Sequence, residues 1–328
     1  MICILGGSGF IGTCLCKRLQ QKSLPFSILD KRLSLSFPEL TKLTDVRFPN
    51  ELASHIDEKS ILINLAAEHR DNVRPLSLYH EVNVDGARNI CQVASEQGIN
   101  KIVFTSSVAV YGFAPPGTDE LGEINYFNDY GRTKYEAEQV YKQWHAEAPD
   151  ERALVIIRPT VVFGEGNRGN VYNLLRQIAS GKFLMFGAGN NKKSMAYVEN
   201  VAAFLEYSLT FPAGIHIYNY IDKPDFTMNK LITKVRETIF RKKGVGLRLP
   251  AKLGLGIGYL ADAVSTITRK QLPVSSIRVR KFLATTQFST SVSATGFIPP
   301  VSLEEGLART LSYEFLEDNS MNQTFDTE

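Results

Sequence analysis

The feature that most constrains this chain is a glycine-rich turn directly after a short apolar run. Residues 2–5 are apolar, residues 6–12 read G-G-S-G-F-I-G, and a helical pattern follows. Strand, glycine turn and helix in this order are typical of a dinucleotide-binding fold. Gly6 would permit the tight turn, Gly9 would let the backbone approach a pyrophosphate at the helix N-terminus, and Gly12 would let helix and strand pack closely.

A second apolar run ends in an acidic residue at the distance expected for a cofactor ribose. Asp30 follows the run at residues 26–29. A carboxylate there binds a 2′-hydroxyl and repels a 2′-phosphate, so Asp30 favours NAD over NADP. Lys31 and Arg32 come next and act in the opposite direction, and an ordinary turn role for Asp30 stays open.

Strands and helices alternate through the first half of the chain. Apolar runs at 61–67, 101–104 and 153–157 are separated by helical patterns, the longest of them at 78–94. The nearly continuous run at 61–67 is typical of a strand buried on both faces. We therefore predict an α/β fold with a Rossmann-like, doubly wound parallel sheet and ligands beyond the carboxyl ends of its strands.

The length of 328 residues suits one large domain or two unequal ones. We predict that residues 1–165 form mainly the NAD-binding domain. Residues 166–316 would form mainly a smaller substrate-binding lobe, with the chain crossing back to the first domain. The polar tail, 317–328, is predicted to be disordered.

Hydroxyl side chains follow the strand at 101–104, and a tyrosine and a lysine follow them. Ser106 and Ser107 stand where substrate is expected, although turn hydrogen bonding is an equally ordinary role for either. Tyr130 and Lys134 are four residues apart in a helical pattern, so they share one face. An ammonium beside the phenol favours phenolate, and lowering a tyrosine pKa from ~10 to ~7 takes roughly 4 kcal/mol.

The order of these motifs resembles the extended short-chain dehydrogenases/reductases, specifically the nucleotide-sugar epimerase/dehydratase group. The resemblance is carried by G-G-S-G-F-I-G, Asp30, the L-A-A strand end, T-S-S-V-A-V-Y-G, Y-G-R-T-K and R-P-T at 158–160, and it covers nearly the whole chain. It implies NAD as cofactor, Ser107 as the catalytic hydroxyl, Tyr130 as the base and Lys134 as its partner. The implied cofactor contacts are Gly6, Gly9, Phe10, Ile11, Gly12, Asp30, Asp45, Val46, Leu65, Ala66, Ala67, Tyr130, Lys134, Arg158 and Pro159.

One departure from the group narrows the reaction. Its dehydratases place an Asp-Glu pair just after the catalytic hydroxyl, where this chain has Val108 and Ala109. Two apolar residues cannot perform acid–base elimination. The departure argues against dehydration and favours epimerisation or ketone reduction.

A glycine-rich loop at 164–170 indicates how a sugar diphosphate would be held. It carries Arg168 and Asn170 at the start of a helical pattern. Such a loop suits a diphosphate, with a solvated arginine on a flexible loop as the alternative.

Two further basic residues are assigned to phosphate through the resemblance. Lys193 aligns with the family's R-D-x-x-H-V segment, although Ser194 and Tyr197 replace its acid and its histidine. Relatives bring one arginine from the region of residues 276–281 onto the diphosphate, and we assign this role to Arg280.

Three segments resemble more closely the members of this group that epimerise a sugar on a lipid diphosphate for O-antigen assembly. They are A-A-E-H-R-D at 66–71, N-R-G-N-V-Y-N-L-L at 167–175 and K-S-M-A-Y-V at 193–198. Glu68 and His69 directly follow a strand end, so we expect one of them to touch the sugar. A surface ion pair is the alternative.

A later stretch is compatible with a lipid-linked substrate. Its basic residues are Arg241, Lys242, Lys243, Arg248 and Lys252, and its apolar residues on one helical stripe are Leu253, Ile257, Leu260, Val264 and Ile267. The stripe fits a helix in the membrane interface as well as a helix packed on the core of the lobe. Peripheral contact with the inner face of the cytoplasmic membrane is therefore one interpretation.

Composition excludes several other classes. The net charge of +3 is too small to suggest a nucleic-acid partner, and the four cysteines show neither metal nor disulfide spacing. We expect no metal site, a cytoplasmic protein without a signal peptide or a membrane-spanning run, and we leave a homodimer open.

The predicted function is an NAD-dependent 4-epimerase that interconverts N-acetylglucosamine and N-acetylgalactosamine on undecaprenyl diphosphate. Its rivals are a UDP-sugar 4-epimerase, a nucleotide keto-sugar reductase, and a non-catalytic NAD-binding regulator on the same fold.

Overall fold

The computed structural model describes residues 1–70, 73–268 and 275–326. The elements of the first half are β1 (Ile2–Leu5), α1 (Phe10–Gln21), β2 (Phe26–Asp30), β3 (Thr41–Leu43), α2 (Pro49–Ala53), β4 (Ile61–Asn64), α3 (Ser77–His80), α4 (Gly86–Glu96), β5 (Lys101–Thr105), α5 (Asp129–Ala146) and β6 (Ala153–Pro159). Those of the second half are β7 (Val161–Phe163), α6 (Asn170–Ala179), β8 (Met185–Phe186), β9 (Lys192–Tyr197), α7 (Val198–Tyr207), β10 (Gly214–Tyr220), β11 (Asp222–Thr227), α8 (Met228–Phe240), β12 (Arg248–Leu249), α9 (Ala251–Thr268), α10 (Ser276–Leu283) and α11 (Leu303–Phe315).

A seven-stranded parallel sheet organises the larger part of the molecule, in the order β10-β6-β5-β4-β1-β2-β3. Alternate residues of β1 face opposite layers, so Ile2 and Ile4 join the core beneath α1 and α7, whereas Cys3 and Leu5 join the core beneath α4 and α5. The prediction of a doubly wound α/β fold is confirmed.

The chain reverses its direction across the sheet between β1 and β4, which lie side by side. In doubly wound sheets this switch point opens a crevice beyond the strand ends, where ligands bind. The glycine turn follows β1, and residues 65–67 follow β4. Both predicted cofactor segments therefore meet at one crevice.

The smaller lobe is built mainly from residues after β6. A three-stranded sheet in the order β11-β9-β7 packs with α6, α8 and α11 around a core that includes Leu175, Met195, Val235 and Leu307. The edge strand β10 belongs instead to the large sheet, where it pairs with β6. The chain thus crosses back between the two parts.

Two segments differ from the sequence prediction. The predicted strand at 61–67 ends at Asn64, and the helix predicted at 78–94 is α3 and α4 joined by a π-helical turn, Glu81–Asp85. Asn64 ends the strand because its side chain accepts a hydrogen bond from Ala66 N and turns the chain. Periodicity predicts the type of element better than its limits.

The tail, for which the sequence predicts disorder, is largely exposed but is anchored at Phe325. Phe325 N donates to the Gly166 carbonyl over 2.8 Å, and Arg168 N donates to the Phe325 carbonyl over 2.9 Å. The ring of Phe325 also packs on Phe10, with 5.6 Å between centroids. The prediction of disorder rests on the polar composition of the whole tail. Such an average does not reveal one aromatic contact and two backbone hydrogen bonds at a single residue.

The glycines of the first turn are predicted to differ in their contribution to stability. A Cβ on Gly12 would lie 2.6 Å from backbone atoms of Gly7, whereas a Cβ on Gly9 would meet nothing nearer than 3.4 Å. Gly12→Ala should therefore push α1 off the sheet and lower the thermal midpoint by several degrees, measured by circular dichroism.

Gly9→Ala is the matched control. It should keep the wild-type midpoint and weaken only NAD binding. Equal midpoints for Gly12→Ala and the wild type would contradict the packing role of Gly12.

Candidate active site

The turn after β1 has the geometry that a dinucleotide phosphate requires. Gly6 has a φ of +77°, and a Cβ there would lie 2.6 Å from Ala66 N. Helix α1 begins after Gly9, an N-cap residue without a side-chain cap. Its first amides are thus left for an anion, with Phe10 and Ile11 in the first helical turn.

Asp30 ends β2 beside that turn. Its carboxylate accepts hydrogen bonds from Ser8 N over 3.0 Å and from Arg32 N over 3.1 Å. Burial raises the pKa of Asp30, while these amides oppose the rise. The two amides, the charge of Lys31 and the Ser8 side chain therefore all favour the carboxylate, and Arg32 takes part through its amide.

The two residues expected to border the adenine are placed differently. Asp45 is held by the Arg47 guanidinium, with 2.8 Å between Nη2 and Oδ2, and although burial opposes it, this partner keeps the pKa of Asp45 low. Val46 is buried, and its carbonyl accepts a hydrogen bond from Asn89 Nδ2. Leu65, Ala66 and Ala67 line the end of β4 and are half-buried.

The predicted catalytic residues come together beyond the end of β5. Asn128 caps α5 by accepting a hydrogen bond from Gly131 N over 2.9 Å, which places Tyr130 in the first turn of the helix. A Cβ on Gly131 would lie 2.5 Å from the Ala109 carbonyl oxygen, so glycine allows this close approach. The Ser107 hydroxyl lies close enough to the Tyr130 phenol to favour its ionised form.

Tyr130 and Lys134 differ in how burial affects them. Burial raises the pKa of Tyr130, and the Ser107 hydroxyl works against the rise. Burial lowers the pKa of Lys134 to about 7, and the Glu138 carboxylate works against that fall. The surroundings of Tyr130 in the protein therefore do not lower its pKa, and the predicted activation needs positive charge beside the phenol.

Val108 and Ala109 lie in the 3-10 turn that directly follows Ser107. The Ser107 hydroxyl accepts a hydrogen bond from Ala109 N over 3.1 Å, so this turn also orients the serine. The positions where dehydratases carry their acid pair thus hold two apolar side chains.

Glu68 and His69 follow β4, as predicted, but their side chains take different environments. Glu68 is buried and makes a two-point ion pair with Arg70, with 2.9 Å between Nε and Oε1, and although burial opposes it, this partner lowers the Glu68 pKa. His69 is exposed and lies within electrostatic range of Lys134, and partial loss of solvation lowers its pKa. His69 is therefore the freer of the two to meet a sugar.

Asn83, in the π-helical turn, fixes this loop to the catalytic helix. It accepts a hydrogen bond from Glu68 N and donates to the Glu68 carbonyl and to Thr133 Oγ1, over distances of 2.9 to 3.0 Å. The sequence pattern gave no sign of this role. π-Helical turns are often found at functional sites, because they re-aim one side chain.

Two residues assigned to ligands are instead engaged inside the protein. The Ser106 hydroxyl donates to Glu138 Oε1 over 2.6 Å. The Arg158 guanidinium is 3% exposed and bonds both oxygens of Glu138 and the hydroxyl of Tyr111. Neither side chain is free for a ligand in this conformation. Sequence reasoning missed Glu138, although its spacing from Lys134 equals that of Lys134 from Tyr130.

The loop at 164–170 is tied to the C-terminal helix. The Glu314 carboxylate accepts hydrogen bonds from Gly166 N and Arg168 Nη1, over 2.7 and 2.8 Å. The Arg168 guanidinium also stacks over Tyr172, 4.3 Å from the ring centre. Arg168 is thus pre-positioned rather than mobile, and Asn170 begins α6 beside it.

The two remaining phosphate candidates, Lys193 and Arg280, both have partners in or beside α10. Lys193 Nζ donates to the carbonyl of Lys281 over 2.8 Å, next to Arg280 in α10. Burial lowers the pKa of Lys193 to about 8. Arg280 is exposed and contacts the hydroxyl of Tyr259. Each of the two side chains is thus held by a partner within the protein.

Comparison with known proteins identifies the kind of site. The family model described as NAD dependent epimerase/dehydratase matches residues 2–220. The chain is 48% identical to the N-acetyl-α-D-glucosaminyl-diphospho-ditrans,octacis-undecaprenol 4-epimerase of Escherichia coli O157:H7, over 100% of this chain and 99% of that one.

More distant relatives share the architecture. The UDP-glucose 4-epimerase of Vibrio cholerae is 28% identical over 97% of this chain and 96% of that one. The crystal structure of UDP-N-acetylglucosamine 4-epimerase from Bacillus cereus superposes with a TM-score of 0.73 at 14% identity, covering 94% and 97% of the two chains.

Tyr130→Phe tests the predicted base. It removes the titrating hydroxyl and keeps the ring. Turnover should therefore fall by ~10²–10⁴-fold, the usual contribution of a general base. The circular dichroism spectrum should stay unchanged. Tyr126→Phe, an exposed tyrosine near the start of the same helix, is the control and should keep full turnover. Near-normal activity of Tyr130→Phe would exclude this residue as the base.

Proposed function

The chain belongs to the NAD dependent epimerase/dehydratase family, and we propose that it interconverts N-acetylglucosamine and N-acetylgalactosamine on undecaprenyl diphosphate. The observation that carries this proposal is 48% identity over the full chain to the undecaprenol-linked 4-epimerase. The family also confirms the predicted class, an NAD-dependent isomerase. The proposed role of the chain is polysaccharide or O-antigen assembly.

The residues at the switch point fit NAD. Gly6 lets the turn pack on the end of β4, and Gly9 leaves open space beside the start of α1. The uncapped start of α1 offers amides to a pyrophosphate, and Asp30 lies where a ribose hydroxyl would be bound. When bound, NAD supplies a hydride acceptor and donor for C4 of the sugar. Asp30 favours NAD over NADP, because a carboxylate binds the ribose 2′-hydroxyl and repels a 2′-phosphate.

The protein's own residues handle the proton and the oxygen. Tyr130, as phenolate, accepts the proton of the sugar O4 while the C4–O4 single bond becomes a carbonyl. Ser107 donates a hydrogen bond to that oxygen and keeps it near the phenol. Return of the proton from Tyr130 after the keto sugar has turned over completes inversion.

Positive groups of the lobe would hold the diphosphate. Lys193 bonds the backbone of α10, the helix that carries Arg280, and Arg168 lies in the glycine-rich loop at a helix start. Arginine and lysine bind phosphate through charge-assisted hydrogen bonds. We assign the diphosphate to these three side chains and the sugar to Ser107 and His69.

The carrier is tested by direct comparison of substrates. Purified protein is incubated with undecaprenyl-diphospho-N-acetylglucosamine in detergent, and separately with UDP-N-acetylglucosamine, and the released sugars are identified. The proposal predicts N-acetylgalactosamine from the lipid-linked substrate, with kcat/KM at least tenfold above that for the nucleotide sugar. Equal or better use of UDP-N-acetylglucosamine would support a nucleotide-sugar epimerase instead.

Helix α9 supports a substrate that stays in the bilayer. Its packing face is made of small or polar residues: a Cβ on Gly254 would lie 2.5 Å from the Phe186 ring, one on Gly258 would lie 2.7 Å from Ser276, and Asp262 accepts a hydrogen bond from Ser276 N. The helix therefore docks through glycines.

The large apolar side chains of α9 point outward as a result. Leu253, Ile257, Leu260 and Val264 are 51%, 38%, 68% and 39% exposed, and the side chain of Ile267 lies outside the described part of the chain. Exposed basic residues precede them: Arg241, Lys242, Lys243 and Lys252. No helix in the described ranges is long and apolar enough to cross a membrane.

We infer that this surface rests on an anionic bilayer. An apolar stripe beside lysines and arginines is the pattern of an interfacial helix, and each basic residue near such a surface contributes up to ~1 kcal/mol. Ile257→Ser with Leu260→Ser should reduce sedimentation with anionic vesicles several-fold and leave NAD binding and the thermal midpoint unchanged. High salt should release part of the wild type.

Leu121→Ser with Ile298→Ser is the matched control, because both side chains are exposed apolar residues elsewhere, at 92% and 83%. It should sediment like the wild type. The inference would be overturned if the α9 variant unfolds, or if the wild-type protein does not sediment with anionic vesicles.

A further inference from the structure

A buried charge cluster lies between the catalytic helix α5 and strand β6. Tyr130, Lys134 and Glu138 are spaced four residues apart on α5 and form one stripe. Arg158, near the end of β6, faces the far end of that stripe. Lys134 is 2% exposed, Glu138 0% and Arg158 3%.

Arg158 uses its fork to occupy both oxygens of Glu138. Nε donates to Oε1 over 2.8 Å and Nη2 to Oε2 over 2.6 Å, while Ser106 adds a hydrogen bond to Oε1. Nη1 donates to the Tyr111 hydroxyl over 2.6 Å, which in turn donates to Asn219 in β10. The guanidinium is thus locked by two-point geometry and a second partner.

Lys134 stands one helical turn from this pair and is left out of it. In the described ranges, Lys134 has no ion pair, and its ammonium lies over the Phe104 ring, 4.3 Å from the centre. A carboxylate and a lysine four residues apart on a helix ordinarily attract each other. Here the carboxylate is already taken.

The pairing of Glu138 with Arg158 determines how much positive charge remains near Tyr130. Lys134, when protonated, and Arg158 carry two positive charges, and Glu138 carries one negative charge, so one positive charge is surplus beside the phenol. If Glu138 paired with Lys134 instead, that charge would be neutralised where Tyr130 needs it. The other groups that face Lys134 and Tyr130 are His69 after β4, Tyr79 on α3 and the hydroxyl of Ser107.

We propose that Arg158 is a positioning residue: it holds both oxygens of Glu138 and so keeps the Lys134 ammonium unpaired and available to the Tyr130 phenolate. The proposal rests on the proposed epimerase function for the roles of Tyr130 and Lys134. Arg158 would thus act on Tyr130 indirectly, through Glu138 and Lys134, without touching the substrate.

The experiment measures the ionisation of Tyr130 directly. The ultraviolet absorbance of tyrosinate is titrated with pH in the NAD-loaded protein, and the same titration of a Tyr130→Phe partner in each background is subtracted. Arg158→Met should raise the Tyr130 pKa by about one unit, because Glu138 then neutralises Lys134. Turnover at neutral pH should fall about tenfold with it.

The double variant Glu138→Gln with Arg158→Met separates positioning from structure. It removes the carboxylate that would capture Lys134, so the Tyr130 pKa should return towards the wild-type value, and Arg158→Lys should also restore part of it. A purely structural role for the pair predicts that the double variant is no better than the single one.

Arg152→Met is the matched control, since Arg152 also pairs with a glutamate at the end of α5 and stacks on Trp144, away from the site. It should leave the Tyr130 titration unchanged. An unchanged Tyr130 pKa in Arg158→Met, or a double variant that does not recover, would overturn the proposal. If Arg158→Met does not fold, the double variant and Arg158→Lys carry the test.

The titration needs no sugar substrate, so the two proposals fail separately. Loss of the epimerase function with the predicted Tyr130 shifts would leave the positioning role intact. A sound epimerase with no such shifts would remove only the positioning role.

Discussion

The approach of backbone to backbone at the turn after β1 is the constraint on which the rest of the structure depends. Gly6 passes so close to the end of β4 that any side chain would strike Ala66 N, and Gly12 lies on Gly7 in the same way. This packing fixes where α1 starts relative to the sheet. Because all seven strands are parallel, their carboxyl ends then collect the cofactor turn, the serines after β5 and the buried arginine of β6 at one edge. A single tight turn thus aligns residues from distant parts of the sequence.

Much of this arrangement can be predicted from sequence, because it follows from local rules. The spacing of the glycines predicts the tight turn, the acid predicts the end of β2, and the interval between tyrosine and lysine predicts that they share one helix face. The hydrogen-bond partners of buried polar groups cannot be predicted from such local patterns. Ser106 and Ser107 are chemically identical neighbours, yet one bonds Glu138 inside the protein and the other lies beside the Tyr130 phenol. Adjacent residues of an extended chain point in opposite directions, and only the register of the sheet decides which is which.

Helix α9 shows a second limit of sequence patterns. An apolar stripe ordinarily marks the buried face of a helix in a soluble protein, and periodicity cannot tell that face from a membrane-facing one. In the structure, glycines determine which face of α9 is packed. The face with Gly254 and Gly258 is narrow enough to pack on Phe186 and α10, so the broad apolar face is turned away from the lobe. Small residues therefore carry information about orientation that hydrophobicity alone does not contain.

The seating of Phe325 on Phe10 has a consequence for how the chain is made. These rings come from nearly opposite ends of the sequence, and the same late segment hydrogen-bonds to the loop at Gly166. During synthesis, the N-terminal part leaves the ribosome first and begins to fold as a unit. The contact of Phe325 with the first helix can form only after residue 325 has been translated, so a nascent chain lacks this contact even after its glycine turn has formed.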